Sequence, residues 1–195
     1  MVKKINLKKT NINIYDIVLK ILVVIALIVL VAICIKYGKN KVNEKNLKEV
    51  ISHIETKDFE TIDEINGYKI VGIIEIPKIG IKYPILSETN KESMKISITK
   101  FWGNQINSIG NVTLAGHNNR DGTMFGKTKK LQEGDIINLT GVDKKTVSYK
   151  IFKTYIIEPN DVSCVKSIEP GTREITLITC TNGNKNRLVT KAREI

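Results

Sequence analysis

Glu174-Ile175-Thr176-Leu177-Ile178-Thr179-Cys180, then six residues to Asn186, then Arg187-Leu188-Val189: this stretch decides how the chain is read. Its first segment is short and rich in β-branched residues, the pattern of a buried strand. Residues 181–186 are rich in Asn and carry Gly183, so they form a hairpin loop and Arg187 opens the returning strand. The last residue of one hairpin strand and the first of the next are close neighbours. The spacing therefore predicts a thiol (Cys180) and a guanidinium (Arg187) at one end of a sheet. That pairing has chemical meaning, because the thiolate is the reactive form of Cys and positive groups favour it and any oxyanion it creates. Cys180 by itself also reads as a small core residue.

Working outward, more strand-like stretches follow. Ile70, Val71, Ile73, Ile74 and Ile76 form an apolar run closed by Pro77, and Ile79, Ile81, Tyr83 and Ile85 alternate with Gly80, Lys82 and Pro84. Further strands are expected over 95–100, 111–116, 135–139, 146–157, 174–180 and 187–194, separated by Gly-, Asn- and Pro-containing turns. Short helices are expected over 88–94 and 124–131. About eight strands with so few helices point to an all-β barrel or sandwich.

Scarcity narrows the chemistry. The chain has 195 residues and only two His, His53 and His117. If a Cys–His pair operates after residue 67, its acid/base is His117, which follows the apolar run ending at Gly116 and so stands at the rim of a sheet. Three Cys exclude a disulfide-dense scaffold and do not fall into zinc-ribbon pairs. The net charge of +11 raises the question of nucleic acid, but the chain has only four Arg and no dense basic run or basic–aromatic stripe. Nucleic acid is not an expected partner; an anionic membrane or wall surface suits the charge.

The N-terminal part is different. Ile21–Ile35 reads ILVVIALIVLVAICI, and extending back to Ile14 gives the ~20 residues that span a bilayer, with Lys20 able to snorkel. Lys3, Lys4, Lys8 and Lys9 precede it. No small-x-small cleavage site follows, and Ile33 before Cys34 does not fit a lipoprotein signal, so a retained anchor is expected. Lys residues flank both sides, and counting them does not orient the segment. Beyond it, Leu47, Val50, Ile51 and Ile54, then Phe59, Ile62 and Ile65, make a helical stripe, read as a stalk packed on the globular part. His53 on this stalk is given no role.

Thr176-Leu177-Ile178-Thr179-Cys180 resembles the TLxTC motif of sortases, the cysteine transpeptidases of Gram-positive cell surfaces. Arg187-Leu188-Val189 resembles their following Arg strand, Ala115-Gly116-His117 their histidine motif, and 71–79 their opening strands. The order agrees, with Cys180 standing 63 residues after His117. The resemblance covers about residues 68–195 and looks most like class D, with class B as runner-up.

It implies an eight-stranded β-barrel with short helices behind a transmembrane helix. The domains are then 1–13 as cytoplasmic tail, 14–35 as signal-anchor, 36–66 as stalk and 67–195 as extracellular catalytic domain. It implies His117, Cys180 and Arg187 as catalytic residues, and Thr179, Val162 and Ile168 as contacts to an LPxTG-like sorting signal of surface proteins. The acceptor it implies is an amine of lipid II or peptidoglycan. No cofactor is expected, and no calcium, because residues 89–116 hold only Glu92 as an acid. Cys164 reads as a free thiol near the loop that covers the groove. A hydrolytic cysteine peptidase and a non-catalytic surface binding domain are the competing readings.

Overall fold

The computed structural model describes residues 14–56, 64–166 and 169–195. A single helix, α1, spans Ile14–Thr56. Its apolar portion, Ile14–Lys39, is 26 residues long. At ~1.5 Å per residue this is about 39 Å, more than the ~30 Å of a bilayer's hydrocarbon. The portion is exposed on every face, so no protein core accounts for its apolar character. The stripe expected of the stalk falls mostly on Leu47, Val50, Ile54, Phe59 and Ile62, whose side chains lie outside the described residues.

The rest is a closed barrel. The strands are β1 (Glu64–Ile65), β2 (Tyr68–Ile76), β3 (Ile81–Leu86), β4 (Ile98–Trp102), β5 (Gly110–Ala115), β6 (Ile136–Gly141), β7 (Thr146–Ile157), β8 (Arg173–Thr181) and β9 (Asn186–Glu194). The order is β1-β2-β3-β4-β5-β8-β9-β7-β6, and β6 pairs back onto β2, so eight strands close and β1 is a two-residue appendage. β3–β4 and β5–β8 are parallel; the other neighbours are antiparallel. Closure removes the unpaired edges that an open sheet would expose. Ile74, Ile85, Ile98, Leu114, Ile137 and Ile175 are fully buried within one continuous apolar cluster. The eight-stranded barrel with short helices is thus the architecture, and a sandwich is excluded.

Three local expectations need correction. Ile65 is not helical: Asn66 and Gly67 both take positive φ (51° and 80°), a tight reversal that pairs Ile65 with Tyr68. An Asn-Gly pair is the standard signal for such a turn. Ile79 lies in a 3-10 turn, Pro77–Ile79, ended by Gly80 at φ 65°, so the alternating strand begins only at Ile81. The short helices also shift. One turn forms at α2 (Ser93–Ile96), placing the next strand at Ile98, and the 124–131 segment retains only the 3-10 turn Thr128–Lys130.

Candidate active site

β8 runs through the middle of the site. Its even-numbered residues Glu174, Thr176, Ile178 and Cys180 share one face, as the two-residue period requires. The antiparallel register with β9 sets each of them beside a partner: Glu174 with Arg193, Thr176 with Lys191, Ile178 with Val189 and Cys180 with Arg187. On the other side β5 runs parallel, with Ala115 beside Ile178. His117, two residues beyond Ala115, is therefore level with Cys180. Three chain segments so converge at one end of the barrel.

Short bonds hold that end together. The Gly116 N–H donates to the Ile178 carbonyl at 3.2 Å, and the Thr179 hydroxyl donates to the Gly116 carbonyl at 2.7 Å. Asn118 Nδ2 donates to the Cys180 carbonyl at 2.7 Å. The His117 carbonyl accepts from Phe125 N–H at 3.0 Å. Phe125 is fully buried beneath this turn. A Cβ on Gly116 would stand 2.8 Å from its ring, so glycine is what lets the chain cross Phe125 directly before the imidazole.

Arg187 is half-buried, and its Nη1 donates to the carbonyls of Asn184 and Asn186 at 3.2 and 3.1 Å. A guanidinium has five N–H donors. Two hold the group to its own hairpin, and three remain for something else. The other arginines differ. Arg173 donates through Nε to the Asn107 carbonyl at 2.7 Å and pairs with Glu194 at 2.7 Å. Arg193 pairs with Glu169 at 2.6 Å and Glu174 at 2.9 Å. Arg120 is exposed on the loop after His117.

His117, Cys180 and Arg187 border one cleft of about 470 Å³. Its walls are mainly apolar: Met94, Phe101, Ile157, Pro159, Val162 and Ile178. Of the residues expected to contact substrate, Val162 borders the cleft and is 61% exposed. Thr179 borders it too, with its hydroxyl committed to Gly116. Ile168 lies outside the described residues. Sequence reading overlooked Ile157, Pro159, Met94 and Phe101, which come from segments far apart in the chain. It also overlooked Ile178, which the two-residue period from Cys180 could have found.

Cys164 is a free thiol, 2% exposed, in the cleft wall. Burial, and then the Asp161 carboxylate, push this thiol up from its ordinary value. Among the described residues no group of three His, Cys, Asp or Glu side chains is placed to hold a metal ion. Glu92 pairs with Lys95 at 2.8 Å.

Residues 163–166 and Glu169, which precede β8, are clamped by side chains of β5, β8 and β9. Asn111 Nδ2 donates to the Val165 carbonyl at 2.7 Å and the Thr176 hydroxyl to Asn111 Oδ1 at 2.9 Å. Lys191, 1% exposed, donates to the Lys166 carbonyl at 2.8 Å and stands 3.8 Å from Glu174. The Glu169 N–H donates to Glu174 at 3.1 Å. Desolvation lowers the Lys191 ammonium's pKa against the opposing pull of Glu174. The face of β8 that carries the thiol thus also holds the loop that walls the cleft.

A closed barrel with a thiol, an imidazole and a guanidinium on neighbouring strand ends defines a class of thiol–imidazole site. The model of the sortase domain family matches residues 74–195. The chain belongs to the sortase family. It is 32% identical over 112 residues to sortase A of Listeria monocytogenes, covering 57% of this chain and 49% of that protein. It is 31% identical over 110 residues to sortase D of Bacillus subtilis, covering 56% and 53%. The chain thus spans about half the length of these relatives. Among solved structures it is similar to a Clostridium perfringens sortase D5 transpeptidase, with a TM-score of 0.65, 27% identity, and coverage of 80% of this chain and 99% of that one.

Proposed function

We propose that the chain is a membrane-anchored cysteine transpeptidase acting on surface proteins that carry a C-terminal LPxTG-like sorting signal. The observation that carries this reading is the Cys180–Arg187 rung, level with His117, at the end of an apolar cleft. The Cys180 thiolate adds to the carbonyl carbon of the Thr–Gly bond. The oxyanion that forms lies within reach of the Arg187 donors not spent on the hairpin. As the carbon–nitrogen bond breaks, His117 as imidazolium protonates the departing glycine amine, leaving a thioester on Cys180. An acceptor amine of lipid II or peptidoglycan then loses a proton to His117, attacks the thioester and expels the thiolate. Val162, Thr179 and Ile168 are the proposed substrate contacts.

The substrate is outside the cell, so the reading places residues 1–13 in the cytoplasm, 14–35 across the membrane, 36–66 as stalk and 67–195 outside. The 26-residue apolar portion of α1 supports the anchor. The short Cys-to-Arg loop and the Gly116–Asn119 sequence favour class D over class B. The test is mass spectrometry of the full-length protein in detergent micelles with sorting peptides and amines. A peptide adduct on Cys180, transferred to an added amine, is the expected result. Adduct formation with release only to water makes it a hydrolytic peptidase; no adduct makes it a binding domain.

A further inference from the structure

Large apolar side chains exposed outside α1 are few among the described residues: Phe101, Trp102, Ile109, Val142, Ile156, Val162 and Ile195. Three of them, Phe101, Trp102 and Ile109, border one groove of about 910 Å³, larger than the cleft at Cys180. The local backbone is built to present them. Pairing of β4 with β5 steps from Lys100–Leu114 to Trp102–Thr113, so two β4 residues advance against one on β5. Such a bulge breaks the alternation of faces and re-aims side chains. Phe101 and Trp102 are accordingly both exposed, 45% and 58%, although they are consecutive. Gly103 follows at φ 96°, where a Cβ would stand 2.4 Å from the Asn111 carbonyl oxygen. A side chain there would undo the bend.

The groove continues the cleft. Both are bordered by Thr89 and Phe101, and Cys164 in the cleft wall is followed by Val165 and Lys166 in the groove. Its direction relative to the chemistry follows from the register. Trp102 pairs with Thr113, four residues before His117, the residue level with Cys180. At ~3.3 Å per residue that is about 13 Å, the length of four extended residues. In the proposed reaction the acyl half of the substrate stays bound while the amine half departs and another amine enters. In that reading the acyl half, which stays bound and needs walls, runs along the side toward Ile178 and Ala115, and the hairpin end is left to the amines.

Resting on that reading, we propose that the Trp102–Ile109 groove is a binding site for the polypeptide immediately preceding the sorting motif. Four residues before the scissile bond fill the cleft, and the next few lie on Trp102, Phe101 and Ile109. Lys100 and Lys166 border the groove against the single carboxylate of Glu88. The preferred ligand is therefore an extended segment with an apolar or aromatic side chain and a carboxylate about five to seven residues before the bond.

Trp102 is the only Trp of the chain, so its fluorescence reads this groove alone. The experiment uses the full-length protein in micelles and two synthetic peptides: an LPxTG heptapeptide and the same peptide extended upstream by six residues including Phe and Glu. The extended peptide should shift Trp102 emission and show a KM lower by roughly tenfold at unchanged kcat. Trp102→Ala should erase that KM difference and leave the heptapeptide's constants alone, and Trp102→Phe should restore most of it. Equal KM values with silent fluorescence overturn the proposal. So does emission that answers to anionic lipid vesicles or a muropeptide but not to the extended peptide. An extended peptide that shifts Trp102 without being cleaved upholds the groove and defeats the transpeptidase reading instead.

Discussion

Cys180, His117 and Arg187 make different demands, and their substitutions should separate them. Cys180→Ala is expected to abolish adduct formation in a protein that stays folded. Turnover within tenfold of the parent would shift the assignment to Cys164, whose burial argues against it. His117→Ala and Arg187→Ala should each cost about 10²-fold in rate, the scale of one acid/base or one oxyanion donor. Arg187→Lys should recover little. The guanidinium holds Asn184 and Asn186 with one nitrogen and keeps the rest of its planar fork for the cleft, which a point ammonium cannot do. Steady-state rates with one sorting peptide check all three. Equal damage from Arg173→Ala would contradict the geometry, since Arg173 is spent on Glu194 and Asn107.

At the scale of elements, β8 and β9 form one device with two ends. One end carries Cys180 and Arg187; the other carries Glu174, Thr176, Lys191 and Arg193, which hold Lys166 and Glu169 just beyond the cleft wall at Cys164. Lys191→Met should lower unfolding free energy by about 2 kcal/mol, because it leaves a buried carboxylate and carbonyl with fewer partners. It should also raise KM for the sorting peptide more than it lowers kcat. Denaturation and kinetics together check this, and a kcat loss at constant KM would refute a loop-holding role.

The Arg173–Glu194 pair, between the start of β8 and the end of β9, gives a pH test. The hydrogen bond from Arg173 holds the Glu194 carboxyl below its ordinary value of 4.5. A carboxylate whose pKa falls on folding contributes stability above its unfolded value and loses it as pH falls through the folded one. Glu194→Gln should therefore destabilise the protein at neutral pH, with the difference shrinking on acidification below about 4.5. A difference that does not change from neutral to acid pH would contradict the pairing.

For the whole molecule, the decisive quantity is the length of apolar helix. Its 26 residues predict a protein that stays in the membrane fraction at unprocessed mass, with residues 67–195 open to external protease once the wall is removed. A released fragment starting near Lys36 would mean cleavage, and full protection would place the barrel inside. With Glu92 tied to Lys95, activity should be indifferent to millimolar calcium and to chelator, measured on the same peptide.

Strand positions were legible because short apolar, β-branched runs are set off by Gly-, Asn- and Pro-containing turns, and 146–157 in β7 could be read directly. The hairpin placing Cys180 beside Arg187 was legible for a similar reason: a short loop between two strands leaves little choice of partner. His117 could be selected only by scarcity and by resemblance. What sets it level with Cys180 is the parallel pairing of β5 with β8, between segments about 60 residues apart, and no local signal encodes that. The bulge at Phe101–Trp102 was equally invisible, because it depends on β5 lying alongside. Chain-local physics determined the strands, the hairpin and the apolar helix; the tertiary structure decided which strands meet, and so which residues wall the cleft and which hold its loop, because those contacts join parts of the chain that sequence spacing leaves unrelated.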